Sequence, residues 1–149
     1  MNYVRSTLDG ITQRLTSELM DWAPVEGMPT FEGQLVEIIT VEIPLVAALK
    51  AGTETSETEI DKFIGTDRSL NGLCDRLTVV RQQTLGYLDS LSENDLVEEV
   101  SYAGPWFGSF WLPTLPRAEV FLNVAEHERY HVGQITSYLW ARGDNPYHW

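Results

Sequence analysis

A chain of 149 residues that is 43% hydrophobic and 21% charged has room for one packed core and is far from the composition of a disordered segment. Its formal net charge of −12, from 22 acidic and 10 basic residues, repels a phosphate backbone and speaks against a nucleic-acid partner. Cys74 is the only cysteine, the N-terminus carries no basic region followed by an apolar run, and no stretch of about 18 apolar residues occurs, so the expectation is a cytoplasmic protein, neither exported nor membrane-spanning.

From residue 2 to about 21, Val4, Leu8, Ile11, Leu15 and Leu19 recur every three or four positions and predict a first amphipathic helix. Asp21-Trp22-Ala23-Pro24 and Gly27-Met28-Pro29 break it, and Thr30 stands where a cap is needed. Phe31, Leu35, Ile38, Ile39, Leu45, Val46 and Leu49 mark a second helix over about 31–51, which Pro44 is expected to kink because it lacks an amide donor. Residues 52–59 read as an acidic surface connection. Thr66 or Asp67 opens a third helix, whose apolar positions Leu70, Leu73, Leu77, Val80, Leu85 and Leu88 run to about Leu91. Residues 92–115, broken by Gly104-Pro105 and Pro113, form a long connection with at most short elements, its aromatics Trp106, Phe107, Phe110 and Trp111 packing in the core or over a site. A fourth helix runs from near Pro116 to near Arg142-Gly143. Four long helices, no strand pattern and no internal repeat predict an all-α four-helix bundle as a single domain over 1–149.

The chemistry concentrates in His127-Glu128-Arg129-Tyr130-His131-Val132-Gly133-Gln134. Two histidines four apart on a helix lie on neighbouring turns of one face, so both imidazoles can reach one metal ion. The spacing spells HExxH, the zinc-peptidase signature in which the glutamate is the general base. A peptidase also needs a third ligand further along and a substrate-binding strand. Only the tail histidine His148 follows, and the longer metzincin pattern fails at Gln134 and Ser137, so a peptidase is not expected. On the same helix His127, His131, Gln134 and Tyr138 share a band, which suits Gln134 and Tyr138 to orienting ligands. Glu128 falls in the adjoining apolar arc with Phe121, Ile135 and Leu139, where a carboxylate must be paired, protonated or close to a metal. Gly133 reads as a point of close helix approach, and Cys74 as a small buried core residue.

This histidine pair with Gly133-Gln134, Tyr138-Leu139, Gly143 and Pro146 is similar to the C-terminal motif of the DinB/YfiT-like superfamily. Asp21-Trp22-Ala23-Pro24, the Gly27-Met28 turn, Thr30-Phe31 and the stretch from Leu88 to Leu96 are similar to family positions too, so the resemblance spans nearly the whole chain. It implies a four-helix bundle holding a divalent metal through three histidines, one on the second helix and two on the last. Placing Gln34-Leu35-Val36-Glu37-Ile38 on the second-helix motif puts Glu37 where the first histidine is expected. The resemblance therefore implies Glu37, His127 and His131 as ligands of zinc, nickel, iron or manganese, with a carboxylate in place of one imidazole. At about 100° per residue, Glu37 lies nearly opposite the centre of the Leu35, Ile38, Ile39, Val46, Leu49 stripe and Glu42 almost on it, so Glu42 stands as a rival ligand or a supporting group. The activity implied is a metal-activated thiol or water nucleophile acting on a small molecule, as in thiol S-transferases that use a low-molecular-weight thiol, or in hydrolases. The alternative is a non-catalytic metal-binding or ligand-sensing bundle acting as a homodimer. A stress-response role on DNA, suggested by the family's name, is opposed by the net charge.

Overall fold

The computed structural model describes residues 1–52, 55–100 and 114–149. Among these are helices α1 (Asn2–Thr12), α2 (Phe31–Ala51), α3 (Glu57–Ile64), α4 (Leu70–Asp89), α5 (Glu93–Val97) and α6 (Arg117–Ala141). The long helices α1, α2, α4 and α6 form an all-α four-helix bundle in which α2 lies against both α4 and α6, and α6 lies against α1. A two-residue antiparallel ladder, β1 (Glu99–Val100) on β2 (Leu115–Pro116), pairs Glu99 with Pro116 at the entry to α6.

Local chemistry sets the ends of these helices. The Thr30 hydroxyl accepts from the Gly33 amide at 3.1 Å and Ser69 from the Gly72 amide at 3.2 Å, each satisfying an amide with no partner inside its helix. Gly52 ends α2 in the left-handed region at φ 66°, and Gly143 turns the chain after α6 at φ 95°, both conformations that glycine adopts without a Cβ penalty.

The core has two apolar clusters with a polar layer between them. One joins Leu8 and Ile11 of α1, Phe31, Leu35, Ile38 and Ile39 of α2, Leu73, Leu77 and Val80 of α4, and Ile135, Tyr138 and Leu139 of α6. The other joins Val41, Leu45 and Leu49 to Val120, Phe121 and Val124. Each fully buried aliphatic side chain contributes about 1.5–3 kcal/mol relative to exposure.

In the layer between stand Arg5, Glu42, Arg81 and Glu128, one from each long helix and all buried. Arg5 donates through Nε to Glu128 Oε1 at 3.0 Å, and through Nη2 to Glu128 Oε2 at 3.0 Å and Glu42 Oε2 at 3.2 Å. Arg81 donates through Nε to Glu42 Oε1 at 2.8 Å and through Nη2 to Glu42 Oε2 at 3.1 Å, and also bonds Glu128. The remaining Nη1 groups reach the carbonyls of Leu77 and Met1. Burial alone would lower the Arg81 pKa, but the bonds and charges of Glu42 and then Glu128 outweigh it and hold the guanidinium above its ordinary value. The four charges sum to zero, and every carboxylate oxygen meets a guanidinium.

Several expectations are corrected. The first helix stops at Thr12 rather than near residue 21, because Arg14 and Leu15 bond back only three residues, at 3.0 and 3.1 Å, and tighten the last turn. Leu15 and Met20 still bury, from the turns that follow. The acidic connection holds the start of α3, opened by a capping box between Ser56 and Glu59. Gly133 is exposed, with nothing within 4 Å of where a Cβ would stand, so it is no point of close approach. Cys74 is only partly buried. The aromatics Trp106, Phe107, Phe110 and Trp111 lie outside the described residues, and no described helix is long and apolar enough to cross a membrane.

Removing one member of the buried quartet leaves an uncompensated charge, which costs about 3–5 kcal/mol. Glu128→Leu is therefore expected to lose that much in urea unfolding. Glu126→Leu, on the exposed side of the same helix, should change stability by less than about 0.5 kcal/mol. Equal effects from the two substitutions would contradict the assignment.

Candidate metal centre

On α6, the face carrying His127, His131 and Tyr138 is turned towards α2, whereas Glu128, one residue on from His127, is turned towards Arg5 and Arg81. The HExxH spelling thus splits into two separate jobs. Glu128 accepts three guanidinium hydrogen bonds and is sealed in the core, so it is held away from any water at the histidine pair. The peptidase arrangement is absent on geometric grounds.

The two histidines converge, with Nε2 of His127 3.1 Å from Nε2 of His131. Two nitrogens bound at about 2.0–2.1 Å to one ion lie roughly 2.9–3.4 Å apart for angles between octahedral and tetrahedral. Their spacing therefore fits a shared ion. Glu37 of α2 brings Oε1 to 3.9 Å from His131 Nε2, and one donor atom from each of the three residues lies within 4.8 Å of the others. Among the described residues this is the His, Cys, Asp and Glu cluster with the geometry to hold an ion. Its donor set, two borderline nitrogens and one hard oxygen, suits zinc, nickel, iron or manganese.

Burial grades across the site. The His131 side chain is 1% exposed and the Glu37 side chain 46%, with His127 between them, so the cluster opens to solvent on the Glu37 side. Burial pushes both imidazoles down to about 4, and at His127 the neighbouring His131 adds to that while Glu37 opposes it. Both rings are neutral at pH 7, which leaves lone pairs available to a metal.

Glu42, the rival ligand suggested by the helical wheel, belongs to the buried quartet and is not in this cluster. The wheel erred because it left out Gln34 and Val41. Both are buried, and they widen the inward arc of α2 towards α6, bringing Glu37 from the far side to the edge of that arc. Gln34 was not anticipated. Its Oε1 is in close contact with His131 Nδ1, and its Nε2 donates to Tyr138 Oη at 3.3 Å. Tyr138 thus reaches the site through Gln34, whereas Gln134 Oε1 makes no well-aligned hydrogen bond among the described residues, although its side chain acts on His131 and opposes the effect of burial there. The sequence offered only an amide beside Leu35 of the apolar pattern, which does not tell a buried glutamine from an exposed one.

The sequence matches the DinB superfamily over residues 1–135, and the chain belongs to that superfamily. Its fold is similar to the crystal structure of a DinB-like protein from Bacillus cereus ATCC 10987, with a TM-score of 0.68 at 17% identity over 95% of this chain and 87% of that one. No curated protein matches it.

The histidine pair gives the metal-free protein a signed pH dependence. Both rings titrate at about 4 in the folded chain against 6.5 ordinarily, so between these values the unfolded chain binds more protons. Stability is full above about pH 6.5 and falls as the pH drops towards 4. Urea midpoints from pH 7 to 4.5 should decline, and His127→Leu with His131→Leu should flatten the decline. An unchanged slope in the double variant would assign the effect elsewhere.

Proposed function

As a member of the DinB superfamily with a converging His127, His131 and Glu37, the chain is, we propose, a divalent-metal-dependent enzyme acting on a small molecule through a thiol or water nucleophile. The observation that carries the reading is the pair of neutral imidazole Nε2 atoms 3.1 Å apart, with a carboxylate on the solvent side. Two histidines and one carboxylate leave coordination positions open, the arrangement of catalytic rather than closed structural sites. When bound there, a divalent ion lowers the pKa of a coordinated thiol or water.

The chain's own residues do the rest. His127 and His131 bind as neutral donors, so loading at pH 7 releases no net proton from the pair. Glu37 closes the exposed side and removes one unit of charge relative to a third imidazole. A less positive site acidifies its ligand less, which favours a thiol, with an ordinary pKa near 8.5, over water at about 15.7. A low-molecular-weight thiol is accordingly the first co-substrate to test, and the net charge of −12 favours a small molecule over a phosphate backbone.

Elemental analysis of protein purified without an affinity tag is expected to find one divalent ion per chain. His127→Ala with His131→Ala should abolish it. Glu37→Ala should weaken binding by more than about 100-fold, beyond the roughly 10–100-fold that loss of an outer partner costs. Full metal content in the double histidine variant would refute the site. Stoichiometric metal without turnover of thiol or hydrolysable substrates would favour a non-catalytic, ligand-sensing bundle.

A further inference from the structure

The two histidines of the site are not equivalent, because one of them has a protein partner on its second nitrogen. Gln34, fully buried on α2, sets its Oε1 against His131 Nδ1, and its Nε2 donates to Tyr138 Oη at 3.3 Å. An amide oxygen only accepts, so the contact is attractive only when His131 carries its proton on Nδ1. Nε2 is then a bare lone pair aimed at His127. The Tyr138 hydroxyl, which can donate or accept, completes the bonding at the other end of the amide, and the end that faces His131 in this structure is Oε1. Turned over, Gln34 would offer N–H to Nδ1 and force the His131 proton onto Nε2, the atom a ligand needs free.

We infer that Gln34, bonded at its other end to Tyr138, is a positioning residue that locks His131 in the Nδ1–H tautomer before any metal arrives, leaving His127 as the histidine that changes tautomer on loading. This deepens the proposed metal site and names the device that prepares it. In the metal-free protein, His131 Nε2 can only accept, so the 3.1 Å contact between the rings requires His127 to donate from Nε2. To ligate, His127 must shed that proton and carry one on Nδ1 instead. His131 changes nothing. The surroundings support a fixed arrangement. Tyr138 packs edge-on to Phe31 and Trp22 with ring centroids 5.5 and 5.9 Å away, and both Gln34 and His131 are sealed from water. An outer partner that fixes tautomer and ring orientation is worth about 10–100-fold in metal affinity.

Long-range nitrogen–proton correlation spectra of the imidazoles read the tautomers directly. In the metal-free wild type at pH 7, His131 is expected as Nδ1–H and His127 as Nε2–H. Adding Zn²⁺ should move His127 to Nδ1–H and leave His131 as it was. Gln34→Leu, close in volume and lacking the acceptor, should release His131 from its single tautomer and weaken Zn²⁺ binding 10–100-fold. Gln34→Glu restores an acceptor and should restore both readouts to within a few-fold. Tyr138→Phe should loosen the tautomer with a smaller loss. An Nε2–H tautomer at His131 in the wild type would overturn the inference, as would a Gln34→Leu protein with wild-type spectra and affinity. Should Gln34→Leu fail to fold, the wild-type spectra and Tyr138→Phe still decide. Failure of the wild type to bind Zn²⁺ would remove the proposed function, while the metal-free spectra would judge this inference separately.

Discussion

Four buried charges hold the four long helices in one mutual arrangement. Arg5, Glu42, Arg81 and Glu128 come one from each helix and lie between the two apolar clusters, with every carboxylate oxygen matched to a guanidinium. Apolar side chains tolerate sliding and repacking, because one aliphatic contact is much like another. A buried ion pair does not, since a slip of one helix turn would strand a charge at a cost of several kcal/mol. In this bundle the quartet therefore sets register and rotation, while the apolar clusters supply most of the stabilisation.

The candidate metal site depends on that rotation. Glu128 stands next to His127 in sequence, and its attachment to Arg5 and Arg81 pins α6 so that the histidine face can only look towards α2. On α2, Glu42 is drawn towards Arg81 and Gln34 towards His131, which fixes the rotation of the second helix as well. The resemblance to a peptidase signature follows from helical spacing. An ion-paired glutamate on one face and two histidines on the next produce the same letters as a general base beside a zinc site.

What could be read from the sequence was whatever depends on neighbours along the chain. The 3.6-residue pattern located α2 and α6 nearly to the residue, and Thr30 was recognisable as a cap by its type and place. The histidine pair was legible because both histidines share one helix. The length of α1 was misread since Leu15 and Leu19 keep helical spacing through turns that are no longer α-helical. The helix α3 was hidden by its polarity, although Ser56 and Glu59 spell a capping box. Arg5 and Arg81 left no readable trace, because their partners lie 37 to 123 and 39 to 47 residues away. Gln34 escaped for the same reason, as nothing local distinguishes an amide facing a histidine from one facing solvent.

In the proposed site, the rim position of Glu37 gives a physical reason for a carboxylate to stand where the resemblance expects a histidine. Gln34 and Glu42 on the same helix are sealed in the core and bonded across it, so a change at either would disturb packing or strand a partner. Glu37 sits at the rim with its side chain 46% exposed, where a substitution costs the fold little. An imidazole and a carboxylate are both competent there, but they differ by a full unit of charge. The bundle thus separates stability from chemistry: the quartet and Gln34 hold His127 and His131 in place from within, while the residue at position 37 sets the charge of the site from its edge.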